Sequence, residues 1–139
     1  MKRYWIEYQE SPPDCPMTFW VHCEADGKPW HESAEFNPPR PDPVPGEGYP
    51  VFKVEFDGFI FEFASLAEIR ACINILGQKL MPRTSELTRK RGGGHGPNSH
   101  WLSRLPGKVK SWKYREGAVV YLKKALVEFD KMCQKIAPG

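Results

Sequence analysis

The stretch VFKVEFDGFIFEFAS, residues 51–65, decides the fold. Apolar and polar side chains alternate in two runs, the period of strands with one buried face. Asp57-Gly58 lies between the runs, and this dipeptide tolerates the positive φ angles that a type I′ turn requires. A two-residue turn there predicts Phe56 opposite Phe59, Val54 opposite Phe61 and Phe52 opposite Phe63. All six then share one face, and five are aromatic. On the other face Lys53 opposes Glu62, an opposite-charge cross-strand pair. The stretch reads as a hairpin in a one-side-buried antiparallel sheet.

Working outward toward the N-terminus, two further runs alternate in the same way. RYWIEYQ (3–9) sets Tyr4, Ile6 and Tyr8 against Trp5, Glu7 and Gln9. MTFWVHC (17–23) sets Phe19, Val21 and Cys23 against Thr18, Trp20 and His22. Both read as strands, joined by the turn-forming ESPPDCP (10–16). With the first set of each run inward, Trp5, Trp20 and His22 form a patch on the outer sheet face. Such a patch calls for cover by a loop or by a partner. Residues 25–50 supply a long loop holding seven of the fourteen prolines. Proline removes donors and fixes φ, so no central strand runs here. NPPRPDPVP (37–45) reads as a stiff surface connector, with a PxxP ligand as the alternative.

Toward the C-terminus, Ser65-Leu-Ala-Glu68 is a capping box that opens a helix. Its apolar stripe is Ile69, Cys72, Ile73, Leu76 and Leu80, and Pro82 stops it. The last element is the most periodic. Trp112, Arg115, Val119, Leu122, Leu126, Phe129, Cys133 and Ile136 recur at alternating spacings of three and four. That is a long amphipathic helix docked on the sheet. An arginine within the apolar stripe is its one irregularity. The expected fold is therefore α+β: a four-stranded antiparallel sheet with one face packed by two main helices and a short helix. It forms one domain over 1–139, with an acidic, sheet-rich part at 1–64 and a basic, helical part at 65–139.

The net charge of +3 conceals a strong asymmetry. Residues 1–78 hold six Lys/Arg and thirteen Asp/Glu, net −7. Residues 79–124 hold twelve Lys/Arg and only Glu86 and Glu116, net +10. The peak is LTRKRGGGHGPNSHWLSRLPGKVKSWKYR (87–115), which contains no acid. Its cations are Arg89, Lys90, Arg91, Arg104, Lys108, Lys110, Lys113 and Arg115, accompanied by His95 and His100. The glycine-dense part of the basic loop 83–98 has little to bury. A short helix follows near HWLSRL (100–105). The pattern fails G-x4-G-K-[ST], because Pro97 stands five residues after Gly92 and Gly107-Lys108 leads to Val109. It fails G-x-G-x-x-G at the same proline. His95, His100, Ser99 and Ser103 have no elbow or metal motif around them, so no catalytic residue is assigned.

What the segment does fit is an anionic surface. Lys and Arg neutralise phosphates and release counterions, and Trp101 and Trp112 are either stacking platforms or core anchors. The expected function is that of a non-enzymatic binding protein whose segment 83–115 engages nucleic acid or a nucleoprotein. The alternative is a protein–protein adaptor or inhibitor that uses Trp5, Trp20, His22 and the proline-rich loop. Short motif-poor chains of this kind are frequent among phage and mobile-element products. The expected partner is nucleic acid or an acidic protein surface, with a second copy of the chain as a further candidate.

Other classes find no support. No run of eighteen apolar residues exists, and MKRYWIEYQE lacks the apolar core of a signal peptide, so a cytoplasmic location is expected without membrane attachment. Cys15, Cys23, Cys72 and Cys133 are widely spaced and read as thiols rather than a disulfide framework. Cys15, His22, Cys23 and His31 lack the paired spacing of a zinc site, so neither metal nor cofactor is expected.

Overall fold

The computed structural model describes residues 2–30, 32–80 and 105–136. In chain order the elements are β1 (Lys2–Gln9), α1 (Thr18–Val21), β2 (Cys23–Glu24), β3 (Phe36–Asn37), β4 (Tyr49–Phe56), β5 (Phe59–Phe63), α2 (Leu66–Leu76), α3 (Gly107–Lys110) and α4 (Trp112–Ile136). The glycine-dense loop, the helix expected near 100–105 and Trp101 lie outside the described residues, as does His31.

The hairpin stands in the expected register. Phe56 pairs with Phe59, Val54 with Phe61, Phe52 with Phe63 and Lys53 with Glu62. Asp57 at φ 48° and Gly58 at φ 87° supply the two left-handed positions of the turn. β1 adds antiparallel on the other side of β4, with Tyr4 opposite Val54 and Ile6 opposite Phe52. The sheet order is thus β1-β4-β5. Tyr4 lies on the helix side, its ring 5.5 Å from Phe129 in an edge-to-face contact. On the opposite face Lys53 bridges Glu7 and Glu62. The guanidinium of Arg3 lies 4.5 Å above the Trp5 ring.

The α+β fold and its two main helices are as expected, but the sheet has three strands rather than four. Residues 18–21, read as a strand, form the short helix α1. The physical reason lies on α2. The buried Glu68 carboxylate takes a hydrogen bond from the Thr18 hydroxyl, and His22 Nε2 lies 3.3 Å from the same oxygen. Residues four apart are about 6 Å apart along a helix and about 13 Å apart along a strand. Only the helix lets both reach one carboxylate. A separate two-stranded ribbon, β2 with β3, pairs Cys23 with Asn37 and Glu24 with Phe36.

The core lies between the aromatic sheet face and the two long helices. Phe52, Val54, Phe56, Phe61 and Phe63 meet Ile69, Cys72 and Leu76 of α2 and Ala118, Leu122, Ala125 and Phe129 of α4. Each fully buried large side chain contributes about 1.5–3 kcal/mol relative to exposure. The expected α2 stripe holds for Ile69, Cys72 and Leu76, but Leu80 is exposed because the helix ends at Leu76. In α4 the face extends to Ala118 and Ala125, both fully buried. No helix among the described residues is long and apolar enough to cross a membrane.

Candidate anion-binding end of the fold

The cation-rich segment begins at Lys79, three residues past the end of α2, and leads through α3 into α4. One side chain ties these two points together. Arg115, in the first turns of α4, donates through Nη1 to the carbonyls of Leu76 (3.0 Å) and Gln78 (2.5 Å). Its Nη2 donates to the Lys79 carbonyl at 3.1 Å, and its Nε to the Lys110 carbonyl at 2.8 Å. Four carbonyls, three at or just past the end of α2 and one at the end of α3, thus converge on one guanidinium. A planar fork with five donors suits this arrangement, whereas an ammonium does not. The cation also sits at the C-terminus of α2, where the helix dipole favours positive charge.

Arg115 is therefore not part of an exposed anion-binding surface, as the sequence suggested; it is buried and its donors are committed to the backbone. Burial pulls its guanidinium down from the usual value. Trp112 lies beneath it, with the guanidinium carbon 5.1 Å from the ring centroid. That indole is half-buried and already engaged by a cation.

The other described candidates lie around this clamp. Lys79, Lys108 and Lys113 are exposed, and Lys110 is half-buried. Lys108 donates to the Asp57 carbonyl of the hairpin turn at 3.0 Å, and its Nζ lies 6.0 Å from the Tyr114 ring. The Tyr114 hydroxyl donates to the Phe56 carbonyl, and burial pushes its pKa up to about 12. Hairpin turn, α3 and the start of α4 thus form one end of the molecule, bearing lysines together with the exposed acids Asp57 and Glu116. Arg89, Lys90, Arg91, His95, His100 and Arg104 lie outside the described residues.

The patch expected from Trp5, Trp20 and His22 does not exist. Trp5 is on the outer sheet face as expected. Trp20 belongs to α1, packs edge-on to Phe19 at 5.1 Å and reaches the core. His22 is fully buried. Its Nδ1 lies 2.6 Å from the Pro38 carbonyl and its Nε2 2.8 Å from Ser65 Oγ. A carbonyl only accepts, so Nδ1 carries a proton. The Ala64 N–H donates to Glu68 Oε1 at 3.1 Å, and the Glu68 N–H donates to Ser65 Oγ at 3.3 Å.

Ser65, His22 and Glu68 are the described residues nearest to a nucleophile–base–acid set. Their arrangement is structural. All three are buried, and the carboxylate faces the same imidazole nitrogen as the serine rather than the opposite one. Among the described residues no group of histidines, cysteines and carboxylates is placed to hold a metal.

Two residues that matter here are only partly legible in the sequence. Glu68 was legible as a cap, and its reach to Thr18 and His22 was not. Arg115 was legible as an oddity in the apolar stripe; a buried arginine at such a position signals converging carbonyl acceptors. Comparison with protein-family models, with curated proteins and with solved structures gives no match for this chain.

Proposed function

We propose that the chain is a non-enzymatic, cytoplasmic binding protein whose basic end, residues 83–115 together with Lys79, engages the phosphate backbone of nucleic acid. The observation that supports this reading is the Arg115 clamp: it joins Lys79, where the net +10 region begins, to Lys110 and the start of α4. Lys79, Lys108, Lys110 and Lys113 gather there around backbone that the clamp holds in place. Attraction to a polyanion is then long-ranged, and salt screens it over about 10 Å at 0.1 M.

Fluorescence anisotropy on duplex and single-stranded oligonucleotides, at several salt concentrations, tests the proposal. Replacing Arg89, Lys90 and Arg91 together by Ala weakens binding and flattens the salt dependence by up to about three units, at about 0.9 per phosphate contact on duplex DNA. Absence of binding by the unmodified protein at low salt refutes it.

A further inference from the structure

The proline-rich loop does more than connect. With the end of the sheet and the first turn of α2 it encloses a groove of about 650 Å³, within the range of sites for small organic ligands. Phe52 and Ile6 belong to the sheet side, Leu66 and Ala67 to α2, and Cys133 of α4 also lines it. The outer wall is segment 38–45, five of whose eight residues are proline.

This wall is pinned at several points. Pro38 presents its carbonyl to the buried His22. Arg40 donates to the Pro13 carbonyl at 2.6 Å and to Asp14 at 3.2 Å, and its guanidinium carbon lies 5.6 Å from both the Trp30 and Phe36 rings. Val44 and Gly48 exchange backbone hydrogen bonds in an isolated bridge. A wall with fixed φ angles and fixed anchors is formed before any ligand arrives, which lowers the ordering cost of binding.

The polar groups around the groove narrow the ligand's chemistry. Arg40 is committed to its anchors, and Asp42 is exposed on the wall. Arg70, one turn into α2, lines the groove and is exposed. Among the described residues it has no hydrogen-bond or ion-pair partner. An apolar trough with an unpaired guanidinium complements a molecule with an apolar body and one acidic head, because a guanidinium binds a carboxylate through two parallel hydrogen bonds.

We infer that this groove binds small amphipathic carboxylic acids, with the apolar body against Leu66, Ala67 and the proline wall and the carboxylate on Arg70. The inference is independent of the nucleic-acid reading. The test uses decanoate and its neutral counterpart decanol, titrated calorimetrically below micelle-forming concentrations.

Decanoate binds saturably at one site per chain. Arg70→Gln weakens decanoate about tenfold or more and leaves decanol unchanged, since a hydrogen bond to a charged group is worth at least that factor. Ala67→Phe, which fills the trough, weakens both. In the unmodified protein decanoate slows maleimide labelling of Cys133 but not of Cys23, an arm that needs no variant. The inference is overturned if decanoate does not saturate, if Arg70→Gln binds it as tightly as the unmodified protein does, or if Cys133 gains no protection.

Discussion

Replacing Arg115 by Met keeps an apolar stem and removes the guanidinium with its donors. The structure sets the magnitude. Four hydrogen bonds from a charged group are lost, to Leu76, Gln78, Lys79 and Lys110. A typical intramolecular hydrogen bond is worth about 1 kcal/mol net, and one to a charged group about 1.5–3 kcal/mol. Gln78 and Lys79 are exposed, so water replaces the guanidinium at their carbonyls. Leu76 is fully buried, so water does not readily reach its carbonyl. Release of the buried charge back to solvent in the unfolded chain offsets part of the loss.

The expected cost is about 3 kcal/mol. At about 2.1 cal/mol/K per residue, a chain of this length unfolds with an entropy near 0.3 kcal/mol/K, so Tm falls by about 10 °C. Arg115→Lys keeps the charge at the helix terminus but not the fork, and recovers less than half. Urea unfolding followed by circular dichroism, with the m-value held constant, measures both. A loss below about 1 kcal/mol for Arg115→Met would show that the clamp does not hold the end of α2 to α4.

Glu68→Ala removes the acceptor of the Thr18 hydroxyl and the Ala64 N–H. It costs about 2–4 kcal/mol in urea unfolding, at about 1–3 kcal/mol for each buried group left unpaired, and a neutral result would refute the buried network. Gly48→Ala places a methyl 2.5 Å from the Gln9 carbonyl oxygen, at a φ of +111° that disfavours side chains. It lowers stability by about 1–3 kcal/mol, read as a fall in Tm. Burial raises the thiol pKa of Cys15 to about 12 and pushes that of the fully buried Cys72 well above its usual value. Both therefore stay protonated and inert at pH 8, and iodoacetamide with peptide mass spectrometry modifies the exposed Cys23 first; early labelling of Cys72 would contradict its place in the core.

The sequence by itself determined the hairpin and its register. Strand alternation allows only one pairing that buries Phe52, Val54, Phe56, Phe59, Phe61 and Phe63 together, and Asp57-Gly58 places the turn. It determined the two long helices for the same reason: a 3.6-residue period has one apolar face, and a local cap at Ser65 marks where α2 begins. Tertiary structure decided the rest. Residues 17–23 alternate like a strand and are rich in strand formers, yet a carboxylate fifty positions away demands Thr18 and His22 on one helical turn. The grouping of Trp20 and His22 with Trp5 on one outer face rests on that assumed strand; with a helix there, His22 lies in the core. The same holds for Arg115 and for the proline-rich wall, whose roles depend on carbonyls and rings brought in from distant segments. Periodicity reports which face is apolar, because that is a property of neighbours in the chain. It does not report which buried polar groups meet, because that depends on how the faces pack together.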